Sequence, residues 1–293
     1  MTEVSKVLIA YDGSSCSDAA LQDLRRAGLP TTLDAVVITV ADMILPPTDD
    51  ELPDDYTPAI QIREVEQHAK VRAEKALKEA QAFAERGAKR VKADFPGWSI
   101  RIAVRGDSPA WAVLEMADRD HSDLIVVGSH KHSVVGGRLI LGSVSQRVLY
   151  EARCSVRVAR CLEKDRDGPV RIVVGFNGAQ DSETALNAVA SRTWPEGSEA
   201  RLIAADHVLS GEALGVAAEK LRKAGLVTRE ISRDGDAGHV LIREAEEWNA
   251  DAIFVGTRDV HGFQHFLHGS VSSALAAGAP CSVEVSRAMN VAS

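Results

Sequence analysis

Aromatic side chains make up only 4% of this 293-residue chain, so its core has to be built from aliphatic groups. Cysteine is scarcer still. Cys16, Cys154, Cys161 and Cys281 are scattered, with no CxxC pair and no framework spacing. That excludes a disulfide-stapled scaffold and argues against a structural zinc site, and reduced thiols in an intracellular protein are the expectation. No apolar run approaches a membrane span, and the N-terminus, MTEVSKVLIAYDG, has too short an apolar stretch for a signal peptide. The expected location is the cytoplasm. Positive charge is short as well: 34 Lys and Arg against 42 Asp and Glu give a formal net charge of -8. Such a balance favours solubility and argues against a nucleic-acid or anionic-membrane surface.

The phosphate-gripping loops of nucleotide-processing enzymes are missing too. No GxxxxGK[ST] sequence occurs. Tyr11 to Asp18, YDGSSCSD, has only a passing likeness to an SGGxDS-type loop, and nothing resembles an HxGH-type loop. Glu64, Glu66, Glu246 and Glu247 read as solvated helix faces, so no catalytic residue is assigned. His261, His265 and His268 have the spacing of a metal face on a helix, but Gly262 inside the group favours a loop, and no metal site is assigned.

What the chain does have is an alternation of short apolar runs and helical patterns, stated twice. With 45% hydrophobic and 26% charged residues over this length, two domains can each bury a core. Lys6 to Ala10, KVLIA, reads as a parallel strand buried on both faces. Asp12-Gly13 turns the chain, and Ser17 precedes a helical pattern that stops at Gly28 and Pro30. Leu33 to Val40 is a second strand. Met43 to Pro58, with four prolines and five acidic residues, is a surface excursion. A long helix runs from Ile60 to Arg86, and a third strand from Trp98 to Val104. A cap at Asp107 or Ser108 and a proline, Pro109, in the first turn announce a helix from Ala110 to Asp118. Leu124 to Val127 is the fourth strand. A glycine-rich loop then leads to Gly142-Ser143-Val144-Ser145, which opens a helix, and Cys154 to Ala159 is the fifth strand. After a linker, Arg160 to Pro169, strands are expected at Arg171–Gly175, Ala200–Ala205, Thr228–Arg233, Ala252–Val255 and Cys281–Val285. Helices between them cover Ser182–Ala190, Glu212–Ala224 and Ala237–Trp248. The expected domains are 1–162 and 163–293.

Offsets support a duplication. Asp12 maps to Asn177 (177 − 12 = 165), Gly106-Asp107 to Gly235-Asp236 (235 − 106 = 129) and Gly128 to Gly256 (256 − 128 = 128). Gly142 to Ser145 map to Gly269 to Ser272 (269 − 142 = 127), and Cys154 maps to Cys281 with the same offset. The second half is shorter where the first carries the proline excursion.

On these residues, above all VVGSH after the fourth strand and LILGSVSQRV at the helix start, both halves resemble the universal stress protein family in tandem. The resemblance implies an α/β fold with two doubly wound five-stranded parallel-sheet domains of the adenine nucleotide α-hydrolase-like kind. It also implies an intramolecular dimer with an internal pseudo-two-fold axis. Its fifth strands, CSVRVAR and CSVEVSR, would pair Val156 and Val158 with Val283 and Val285 and so remove an aggregation-prone edge. A further homodimer is left open.

In ATP-binding members the adenine lies near the first Asp and the end of the second strand, and the phosphates lie on the glycine loop and the Gly-Ser helix. Carried over, the resemblance makes Asp12, Val40, Gly128, Lys131, Gly142, Ser143, Val144 and Ser145 a nucleotide site in the first half. Its ligand would be ATP or another adenine nucleotide, with or without Mg2+. Lys131 stands where the family has a second loop glycine, and ten residues rather than nine separate it from Gly142. A lysine loses glycine's conformational freedom but can offer charge to a phosphate. Asn177, Gly256, Asp259, Gly269, Ser270, Val271 and Ser272 form a degenerate second copy. Asn177 replaces the first aspartate, and Asp259 puts a carboxylate where phosphates would lie, so this half is expected to bind nucleotide poorly.

Plainer readings stand beside these. Asp12 can simply close a turn, Ser143 and Ser145 can cap their helix, and His130, Lys131, His132 and Arg138 can be a solvated loop. Two functions follow. One is a cytoplasmic stress-response module that binds an adenine nucleotide and regulates or signals. The other is a nucleotide-free scaffold acting through protein contacts. Neither is an enzyme, although slow ATP hydrolysis or self-phosphorylation is left open.

Overall fold

The computed structural model describes residues 4–43, 60–129, 134–135, 138–139, 141–160, 168–205, 210–257 and 271–288. The first half runs β1 (Lys6–Ala10), α1 (Ser15–Leu24), β2 (Asp34–Asp42), α2 (Ile60–Asp94), β3 (Ser99–Asp107), α3 (Pro109–Asp120), β4 (Leu124–Gly128), a ribbon of β5 (Val134–Val135) and β6 (Arg138–Leu139), α4 (Ser143–Glu151) and β7 (Ser155–Ala159). The second runs β8 (Arg171–Gly175), α5 (Gln180–Ala190), β9 (Glu199–Ala204), α6 (Gly211–Lys223), β10 (Val227–Ser232), α7 (Ala237–Trp248), β11 (Ala252–Gly256), α8 (Val271–Gly278) and β12 (Ser282–Ser286). The surface excursion expected at Met43 to Pro58 lies almost wholly outside the described residues, as does most of the Arg160 to Pro169 linker.

Local chemistry explains where the elements begin and end. Ser14, not Ser17, caps α1: the Asp12-Gly13 turn, with Gly13 at φ +76°, delivers Ser14 extended, and its Oγ accepts from the Ser17 amide at 3.2 Å. The second helix continues past Arg86 to Asp94. Gly87 inside it leaves room for the Tyr11 ring, which would lie 2.8 Å from any Cβ there. Ser108 and Pro109 open α3 as expected, and His121 and Asn249 end α3 and α7 in the left-handed conformation at φ 51° and 53°. The equivalent N-caps are Ser108 and Asp236, an offset of 128 rather than 129. Gly235 therefore corresponds to Asp107, not to Gly106.

Among the described residues all strands fall in one ten-stranded sheet, β10-β9-β8-β11-β12-β7-β4-β1-β2-β3, apart from the β5–β6 ribbon. Each half is parallel throughout, and the two join antiparallel at β7–β12, pairing Val158 with Val283, Arg157 with Glu284 and Val156 with Val285. This is the expected pairing of the two fifth strands, and the pseudo-two-fold passes between Arg157 and Glu284. Strand residues point to alternate faces. On one face Val156, Val158, Val283 and Val285 join a single core with Ile125, Leu149, Leu241 and Leu275 that spans both halves. On the other the cores are separate, one around Ile9, Leu24 and Trp98, the other around Val174, Leu186 and Leu221.

Between those separate cores lies a buried charge network. Asp23 on α1 takes two hydrogen bonds from Arg157 and one, at 2.7 Å, from the Ser282 hydroxyl. Glu284 accepts from Arg157 at 3.2 Å and twice from Arg192, which also donates to the Ala27 carbonyl at 2.9 Å. Burial works to lower the Arg157 pKa, but Asp23 and Glu284 outweigh it and raise the value, so the guanidinium stays charged. Two more arginines cross the interface in pseudo-symmetry. The Arg160 amide donates to Ser282 Oγ at 3.0 Å and its guanidinium to the Ala276 carbonyl. The Arg287 amide donates to Ser155 Oγ at 3.1 Å, and its guanidinium donates to the carbonyls of Cys154 and Leu149. Cys154 and Cys281 are buried, which pushes both thiols up to about 12 and keeps them protonated.

Candidate functional site

In an open parallel sheet the crevice for a ligand lies beyond the strand C-termini where the strand order reverses. In the first half that point is between β1 and β4. Asp12 follows β1, Val40 lies near the end of β2, Gly128 closes β4 and Gly142 precedes α4, so the fold brings these carried-over residues to strand and helix ends at one side of the sheet. Lys131 lies outside the described residues, as do His130 and His132 and the side chain of Arg138.

Asp12 has a local task. Its Oδ1 accepts from the Ser14 amide at 2.9 Å, and Asn177 does the same for the Ala179 amide at 3.0 Å, with Gly178 at φ +77°. Both halves thus build the same Asx turn. Burial works to raise the Asp12 pKa, but hydrogen bonds with Ser14 and Ser17 outweigh it and hold the value below 3.8. A carboxylate held low stabilises the fold above its unfolded value, and that contribution is lost as pH falls through the folded value. An asparagine keeps the turn, as Asn177 does in the second half, so Asp12→Asn should cost only about 0.5 kcal/mol at neutral pH, where the carboxylate's contribution is lost. It should also lose less stability than wild type on acidification below 3.8; chemical denaturation at stepped pH checks both.

Gly128 has a structural reason of its own. A Cβ there would run into the Cys16 carbonyl in the first turn of α1. Ser145 does not cap its helix: its Oγ donates to the Gly128 carbonyl at 2.7 Å, tying α4 to the end of β4. The N-cap is Gly142, which has no side-chain cap hydrogen bond, and Ser143 is exposed. The first turn of α4 therefore carries the partial positive charge of a helix start without a side-chain cap at its N-cap residue. Ser129, one residue past β4, is 2% exposed and its Oγ has no hydrogen-bond partner among the described residues.

A brace from α2 was not legible in the sequence. Arg86 donates to the Gly13 carbonyl at 3.0 Å and to the Tyr11 hydroxyl at 3.2 Å. Tyr11 donates in turn to Asp18 at 2.6 Å, and Arg90 pairs with Asp18. Thr39 Oγ1 donates to the Tyr11 carbonyl at 2.6 Å. Phe83, Arg86 and Arg90 recur at helical spacing, which was the available signal, but the pattern did not name their partners. In the second half Phe176 takes the place of Tyr11 without a hydroxyl to hold.

Of the degenerate copy, Asn177 makes the turn just described, and Gly256 packs against the Asp181 carbonyl of α5. Val271 opens α8 and Ser272 follows it. Asp259, Gly269 and Ser270 lie outside the described residues, as do His261, His265 and His268. Among the described residues no group of three or more His, Cys, Asp or Glu could hold a metal ion.

One ten-stranded sheet made of two doubly wound parallel halves defines the class as a tandem α/β protein of the open kind. The universal stress protein family model matches residues 3–160 and 169–287, and the chain belongs to that family. A universal stress protein of Thermus aquaticus is 31% identical over 154 residues, 53% of this chain and 97% of that protein. One from Methanothermobacter thermautotrophicus is 34% identical over 67 residues, 23% of this chain and 44% of that protein, so less than half of that relative is spanned. The crystal structure of a universal stress protein from Archaeoglobus fulgidus shares the fold, with a TM-score of 0.66 at 20% identity, covering 98% of this chain and 99% of that one. Among the described residues no helix is long and apolar enough to cross a membrane.

Proposed function

We propose that the first half binds an adenine nucleotide, with ATP and Mg2+ the pair to test first, and that the chain serves as a cytoplasmic regulatory module in a stress response rather than as an enzyme. The observation that carries this reading is the α4 start at Gly142. Its N-cap makes no side-chain hydrogen bond, and Ser145 ties it to the strand end beside the buried hydroxyl of Ser129, which has no partner among the described residues. Backbone amides of Ser143, Val144 and Ser145 are the natural partners of phosphate oxygens, with Lys131 adding charge. Asp12 and Val40 would take the base end. In this reading the domains are 1–162 and 163–293, with the boundary between the two family matches.

Titration of the full-length protein with Mg·ATP is expected to give saturable binding at one site per chain. Asp12→Ala should weaken it by about tenfold, the worth of one charge-assisted hydrogen bond. No association at millimolar Mg·ATP would overturn the reading in favour of a nucleotide-free scaffold. A specific observation supports that alternative: Asp12 and Gly128 both have structural tasks that need no ligand.

A further inference from the structure

We infer that Arg287, a residue of the second half, is a positioning residue for the nucleotide site of the first half, acting through α4. This rests on the proposed nucleotide reading. Helix α4 has only nine residues, Ser143 to Glu151, a length that is marginal without tertiary support. Its N-terminal turn is the proposed phosphate site. Its C-terminal end is held from across the pseudo-two-fold, where the Arg287 guanidinium donates to the Leu149 carbonyl in the last turn and, at 3.2 Å, to the Cys154 carbonyl just beyond. The Arg287 amide adds a bond to Ser155 Oγ at 3.1 Å, anchoring the first residue of β7.

A cation at a helix C-terminus and an anion at its N-terminus both complement the helix dipole, and both need the helix formed. Arg287 therefore raises the fraction of molecules in which the α4 amides are set for phosphate. A site whose competent form is only partly populated binds with its affinity reduced by that fraction. By reciprocity, a nucleotide on Ser143 to Ser145 tightens the contact with Arg287 and so the join between the halves. The control is built into the repeat. Arg160 is the pseudo-symmetric counterpart of Arg287 (287 − 160 = 127), and it reaches the Ala276 carbonyl near the end of α8 instead of α4.

The test uses full-length wild type, Arg287→Ala, Arg287→Lys and Arg160→Ala, with Mg·ATP titration and amide hydrogen exchange read on each. Arg287→Ala is expected to weaken Mg·ATP binding about two- to fivefold, the range of a helix-terminal charge. It should also speed exchange over residues 146–151, with Arg287→Lys recovering part of both. Arg160→Ala should speed exchange in α8 and leave Mg·ATP affinity unchanged. Wild-type affinity in Arg287→Ala, or equal weakening in Arg160→Ala, overturns the role of Arg287 while leaving the nucleotide reading standing. A wild-type protein that binds no Mg·ATP overturns both, and so marks a failure of the nucleotide reading itself.

Discussion

Glu284→Leu in the full-length chain is expected to cost about 3–5 kcal/mol of stability, the scale of removing one partner from a buried ion pair. The reason lies in what remains. Arg157 keeps its two bonds to Asp23, but Arg192 loses its carboxylate and keeps the Ala27 carbonyl, with its side chain 2% exposed. Both guanidiniums also lie over the Phe254 ring, at 5.8 and 5.1 Å, which does not replace an anion. Adding Arg192→Met to Glu284→Leu removes the stranded charge and should recover most of the loss, because paired replacement of buried ions by apolar groups is close to neutral. Urea unfolding of the two single variants and the double variant decides it. Additive losses, or a Glu284→Leu cost below about 1 kcal/mol, would defeat the account.

That network also says why the two halves suit each other. Arg157 and Glu284 occupy equivalent places, 127 residues apart, facing one another across the pseudo-two-fold. Pairing the first half with a copy of itself would set Arg157 against Arg157, and pairing the second with itself would set Glu284 against Glu284. Only the unlike pairing sets opposite charges face to face at that strand position.

The strands and their order were legible because the central ones are buried on both faces. KVLIA, LIVVG, RIVVG and AIFVG are nearly unbroken apolar runs, and the structure places them as β1, β4, β8 and β11 at interior positions of the sheet. CSVRVAR and CSVEVSR alternate, and the alternation is physical: the valines face the shared core, while Arg157 and Glu284 face the charge network. What could not be read was pairing at a distance. Asp23 looks like a solvated helix residue until α1 packs on β7, and Arg192 sits in a helix–loop junction until Glu284 arrives from 92 positions along the chain. The candidate site was legible as a set of residues, but not in what each one does locally. Ser145 had the composition of a cap, and a tertiary contact gave its hydroxyl the Gly128 carbonyl instead.

Gly256→Ala is the second large effect, at about 1–3 kcal/mol of destabilisation from overpacking. The glycines that end the fourth strands have the place of a phosphate cradle in the family resemblance, yet neither has a positive φ, so backbone freedom is not what they supply. They supply space. A Cβ on Gly256 would overlap the carbonyl group of Asp181, and one on Gly128 would overlap that of Cys16, in each case in the first turn of the helix that follows the domain's opening strand. The obstacle is backbone, which cannot swing away as a side-chain end can, so α5 or α1 has to lift. The closer approach at Gly256 makes its substitution the costlier of the two. Lifting α1 also shifts the Asp12-Gly13 turn that leads into it, so Gly128→Ala should both destabilise the chain and weaken Mg·ATP binding, whereas Gly256→Ala should destabilise it with affinity intact. Thermal unfolding and Mg·ATP titration of the two variants separate packing from ligand contact: a Gly128→Ala protein as stable as wild type but unable to bind would restore Gly128 to the phosphate cradle and remove it from the packing of α1.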